Sequence, residues 1–166
     1  MPKTRKLALM AMFTAASLIV FVIEAQIPAP IPVPGVKLGL ANIVTLIAMV
    51  MLGRREAGLI LLVRIAMGSM FTGGVSAFIF SIAGGALAYA VMCLTLKLFP
   101  EKLLWVVSVL GAAAHNLGQL AAAIIITKTS SLILYAPALL ASAVITGAFT
   151  GIAAMYLTQR LDKRVG

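Results

Sequence analysis

Six apolar runs follow one another along the chain, at about 7–25, 36–52, 57–73, 75–97, 103–126 and 134–158, with short polar or proline-rich breaks between them. A helix that crosses a bilayer needs about 20 such residues, within a range of about 17–25. A soluble fold of this length has too little interior to hide so many. Composition agrees: the 166 residues are 63% hydrophobic and 10% charged, against about 45–50% apolar in a soluble domain, and the mean hydropathy is +1.15. The sequence therefore predicts an all-α, multi-pass membrane protein, one six-helix bundle forming a single domain over 1–166. No polar stretch is long enough for a second, soluble unit. The N-terminal "MPKTRKLALMAMFTAASLIVFV" has the basic start of a signal peptide, but its apolar run is long and leads into further spans, so it reads as a retained first helix.

Orientation follows from Lys and Arg, which are retained on the cytoplasmic side in short flanks. With both termini inside, Lys3, Arg5, Lys6, Arg54, Arg55, Lys97, Lys102, Arg160, Lys163 and Arg164 all fall there, Lys37 and Lys128 fall outside, and Arg64 lies within a span. The net charge of +9 is thus accounted for by topology and by anionic lipid, and nucleic acid is not expected as a partner. The four residues "GRRE" joining the second and third runs make these two an antiparallel hairpin. The outer loop "IPAPIPVPG", with alternating prolines, reads as a stiff extended connector or a wall over an outward-facing pocket.

Ionisable groups within hydrocarbon cost several kcal/mol and mark functional sites by default. Arg64, deep in "LILLVRIAMGSMF", is the clearest case. Gly68 and Phe71 follow at +4 and +7, on the same helical face, which suggests a cation with space and an aromatic wall beside it. In "AHNLGQL" the i, i+4 and i, i+3 spacings put His115, Asn116 and Gln119 on one face of the fifth run, from the midplane outward. Lys37 and Asn42, in "GVKLGLAN", begin the second run. Together these residues form a candidate substrate-binding set of one deep cation, amides and one outer cation, with Glu24 at the outer end of the first run opposing the positive charge. Interhelical hydrogen bonding is the simpler role for any one of them. Small residues recur in "AMFTA", "MGSMFTGG", "AGGALA" and "GAFTG", where they let helix backbones approach closely.

Catalysis finds little support. Asp162 in the tail is the one aspartate, and Glu24, Glu56 and Glu101 stand at span edges or in loops, so no paired carboxylates are available for acid–base work or for holding Mg²⁺. One histidine and one cysteine exclude the usual zinc sites, and Cys93, inside an apolar run, reads as a small buried hydrophobe. No GxxxxGK[ST] sequence occurs, so the chain has no such nucleotide site of its own. No cofactor is expected.

The segments "VPGVKLGLANIVTLIAM", "RIAMGSMF", "FIFSIAGGALA" and "AHNLGQL" resemble the Gx transporter family, also labelled heptaprenyl diphosphate synthase component I, and the resemblance covers essentially all six runs. Prenyl synthases use Asp-rich motifs for magnesium diphosphate, and this sequence has none. The family in turn is similar to the S components of energy-coupling factor transporters, six-helix proteins that capture micronutrients from outside. That resemblance implies a non-enzymatic, S-component-like subunit in the cytoplasmic membrane that binds a small polar or anionic molecule. It also implies a transmembrane coupling subunit docking at Ala11 and Ala15, and two ATPases as separate chains. The alternative is a non-catalytic membrane partner in isoprenoid or quinone metabolism; a scaffold without ligand is the plainest option.

Overall fold

The computed structural model describes residues 2–27, 33 and 36–165, with side chains described to residue 160. The prolines of "IPAPIPVPG" lie outside the described residues, and with them the reading of that loop as a connector or wall. Six α-helices follow in order: α1 Lys3–Gln26, α2 Asn42–Met51, α3 Arg54–Thr72, α4 Gly74–Leu98, α5 Leu104–Thr127 and α6 Ala136–Val165. Short 3-10 turns precede α5 and α6, over Glu101–Leu103 and Ser130–Tyr135, and no strand occurs among the described residues.

Among the described residues, four helices are long and apolar enough to cross a membrane: α1, α4, and α5 and α6 with their leading turns. The multi-pass membrane character is therefore clear, while the second and third spans differ from the expectation. The third run, 57–73, becomes α3, which is long enough at 19 residues but carries Arg54, Arg55, Glu56 and Arg64. The second run, 36–52, is helical over only 10 residues, about 15 Å or half of a hydrocarbon core. Its first residues, 36–39, are not helical.

The packing shows why α2 can be short. It touches all five other helices and buries Asn42 and the six residues from Val44 to Met49. A helix apolar all round belongs inside a bundle, and a non-helical backbone at membrane depth is tolerated where protein covers it. Around this hub α1 packs on α3, α3 on α4, α4 on α5 and α5 on α6. The start of α1 and the α2–α3 turn lie at the same end, since the Lys6 ammonium donates to the Glu56 carboxylate. One apolar cluster, including Leu46, Ile60, Met92, Leu104 and Ala154 with Met10 and Phe13 against it, fills that basic half. A second, with Val36, Phe80, Leu120, Ala123 and Leu139, fills the other.

Backbone proximity holds the long helices together. A Cβ on Gly118 would stand 2.6 Å from the Ala83 carbonyl oxygen, and one on Gly151 would stand 2.5 Å from the Trp105 Cα. Helices in lipid associate through such close contacts and through polar bonds between them; Ser108 and Thr150 make one across α5 and α6 at 3.0 Å. α3 and α4 are joined by Gly73 and Gly74, at φ +148° and +62°, a reversal that side-chain-bearing residues rarely adopt. Ala11 and Ala15 lie on the exposed face of α1.

Gly118→Leu should separate α4 from α5 and destabilise the bundle by about 1–3 kcal/mol, the usual cost of overpacking. Thermal unfolding in detergent measures this, with Ile125→Ala on the exposed face of α5 expected to leave the transition within experimental error of the parent.

Candidate ligand-binding site

The break before α2 creates the site. Residues 36–41 leave backbone N–H groups outside any helical ladder, and buried N–H groups need acceptors. Two side chains supply them. Glu24, near the end of α1, accepts from the Gly39 N–H and, at 3.3 Å, from the Ala41 N–H. Gln119 of α5 accepts the Lys37 N–H at 3.0 Å. Gly39 has φ +78°, and a Cβ there would lie 3.0 Å from His115 Cδ2 and 3.2 Å from Asn42 Nδ2. Both its backbone angle and its closeness to the imidazole require glycine.

The side chains around this segment enclose a small polar cavity lined by residues of α1, the 36–41 segment, α2, α3, α4 and α5. Glu24, Lys37, Asn42, Arg64, Ser81, His115 and Gln119 are its polar members, and Phe21 is its aromatic wall. The space between them is about 10 Å³, room for about one water molecule. Arg64 stands ten positions after Arg54, about 15 Å along α3, and is 2% exposed. The cavity thus runs from mid-depth toward the end of the bundle opposite the Lys6–Glu56 pair.

Unpartnered polar nitrogens gather here, among them the His115 Nδ1. Arg64 gives one bond, from Nη2 to Asn42 Oδ1 at 3.4 Å. Its Nε and Nη1, the Lys37 Nζ and the Asn42 Nδ2 are buried without a partner. Neither cation is ion-paired among the described residues. Phe21 partly compensates, with Lys37 Nζ 4.1 Å and Arg64 Cζ 5.9 Å from its ring centroid, both within cation–π range. Leaving a buried donor unsatisfied costs about 1–3 kcal/mol.

Five of the eight residues proposed from sequence as substrate contacts converge on this cavity: Lys37, Asn42, Arg64, His115 and Gln119. Three do not line it. Gly68 packs behind Phe21, where an added Cβ would fall 2.6 Å from the ring, so it shapes the wall without touching the space. Phe71 shares Arg64's helical face but stands one turn from Gly68 in the last turn of α3, where it is 72% exposed; the aromatic wall is Phe21 instead. Asn116 is 1% exposed and donates to the Leu139 carbonyl of α6 at 2.8 Å. Consecutive residues on a helix differ by about 100°, so His115 turns to the cavity and Asn116 to the neighbouring helix.

Sequence reasoning missed Phe21 and Glu24 as members of the site. The available signal was Glu24 itself, an acid at the end of an apolar run with no basic residue one turn away to neutralise it.

No curated protein and no solved structure matches this chain. The family described as heptaprenyl diphosphate synthase component I matches residues 13–157, from the first half of α1 to the later turns of α6. The match takes in the interrupted second run and all the cavity's lining residues, and the chain belongs to that family.

Proposed function

We propose that this chain is the substrate-capture subunit, S-component-like, of an importer of the energy-coupling factor type in the cell membrane, taking a small polar or anionic micronutrient from outside. The observation that carries the reading is the set of four buried, partnerless donor nitrogens on Lys37, Asn42 and Arg64, gathered around one cavity. A ligand rich in acceptors relieves their desolvation on entering, while one without acceptors gains nothing there. Such a site discriminates strongly.

With the basic end on the cytoplasmic side by the positive-inside rule, both termini are inside and the cavity lies toward the exterior. At about 10 Å³ the space has to enlarge for any metabolite. Residues 36–41 are the wall best suited to yield, because side-chain acceptors on Glu24 and Gln119 hold them where a helical ladder would otherwise. The exposed Ala11 and Ala15 of α1 offer a smooth face for a transmembrane coupling subunit, which two separate ATPases would drive.

A second reading draws on the family description, which names a synthase component: a non-catalytic membrane partner in isoprenoid metabolism. It predicts purification with a prenyl synthase, whereas the importer reading predicts purification with a coupling subunit and ATPases.

Native mass spectrometry of gently extracted protein should find a small molecule bound, and Arg64→Ala and His115→Ala should each lose it. A bare protein, or a ligand retained at full occupancy in both variants, would sink the capture reading. Asn116→Leu should keep the ligand while lowering the unfolding transition by about 0.6–2 kcal/mol, the range for a polar bond between membrane helices. Phe71→Ala should change neither quantity.

A further inference from the structure

The charges around the cavity narrow the chemistry of what fits it. Lys37 and Arg64 contribute two formal positive charges and Glu24 one negative, leaving a formal excess of one positive charge with His115 neutral. Glu24 does not neutralise either cation by contact, because both its oxygens are turned to the Gly39 and Ala41 N–H groups. The cations are left with unpartnered donors on side chains that line the same space: Lys37 Nζ, and Arg64 Nε and Nη1. Buried charge is tolerated when paired and hydrogen-bonded, and is costly in excess of either sign.

We infer that the cavity takes a ligand carrying one carboxylate, which pairs with Lys37 and Arg64 and brings the site to formal neutrality, while Glu24 holds the 36–41 wall and excludes dianions. This narrows the proposed capture function and rests on it. The arrangement fits a carboxylate well: the second Nη2 hydrogen of Arg64 together with its open Nε or Nη1 makes a fork of parallel donors that two carboxylate oxygens accept, and the ammonium adds a third donor. A cationic ligand would face two like charges, and a neutral one would leave the excess unpaired. A dianion would bring its second charge close to Glu24, whose oxygens are already committed.

A series built on one ring varies the charge, with benzamide as the near-isosteric neutral control for benzoate. The full chain in detergent is heated with benzoate, benzamide, benzylammonium or phthalate, which share a ring and differ in charge. Benzoate should raise the unfolding temperature more than the other three. Lys37→Met should weaken its apparent affinity by roughly tenfold or more, as removing one partner of a buried charge pair does. Glu24→Gln, which raises the formal excess to two, should reverse the order so that phthalate exceeds benzoate. Should Glu24→Gln not fold, Lys37→Met alone decides. Equal shifts from benzamide and benzoate, a benzoate shift unchanged in Lys37→Met, or no shift from any compound overturns the carboxylate assignment. A neutral or cationic molecule found bound in native mass spectra overturns it too and leaves the capture reading standing, whereas a bare protein removes both.

Discussion

A guanidinium buried in the middle of α3 with two of its three nitrogens unpartnered is the constraint around which the rest of the site is arranged. Arg64 cannot reach water from its depth on α3, and the neighbours it has are an amide oxygen on α2 and the face of Phe21. These temper its charge without neutralising it. Lys37 repeats the pattern over the same ring. An arrangement that leaves donors open is unfavourable for a structural arginine and useful for a binding one, since the energy withheld in the empty site becomes available to whatever supplies the acceptors.

The interruption of the second run follows from the same economy of hydrogen bonds. Breaking a helix in lipid frees backbone N–H groups that must find acceptors within the protein. Glu24 and Gln119 provide them, so these two polar residues of α1 and α5 have structural duties beside the cavity. The short α2 then sits at the centre of the bundle, in contact with every other helix, and connects the cavity wall mechanically to the whole fold.

Much of this was legible in the sequence, and the failures have physical causes. The all-helical, multi-pass character followed from apolar length, and the shared position of the α1 start and the α2–α3 turn from the placement of basic residues. Five cavity residues followed from one argument, the cost of polar groups in oil. The extent of α2 did not, because "VKLGLA" is apolar enough to pass as a helix start; what unwinds it is a carboxylate and an amide on distant helices. Asn116 and Phe71 were misplaced by helical-face reasoning, which gives angles about one axis and says nothing of where the neighbouring helices stand. Glu24 was seen only as a charge opposing Arg64, though its backbone partners are the reason residues 36–41 hold their shape.

The family description names a synthase component, while the cavity is lined by two cations with unpartnered donors. The two are reconciled by asking what the chain can do chemically. Binding diphosphate in the manner of prenyl synthases requires clustered aspartates and magnesium, and this chain has one aspartate, in its tail; among the described residues no group of three or more potential metal ligands forms. An anion held by Lys37 and Arg64 needs no metal, because the positive charge is already present and already desolvated. The water-excluding surroundings that make those charges costly when empty also strengthen each contact once an anion arrives. The same closed surroundings hold the charges of Lys37 and Arg64 in place, so their unmet hydrogen-bonding capacity is a fixed property of the fold.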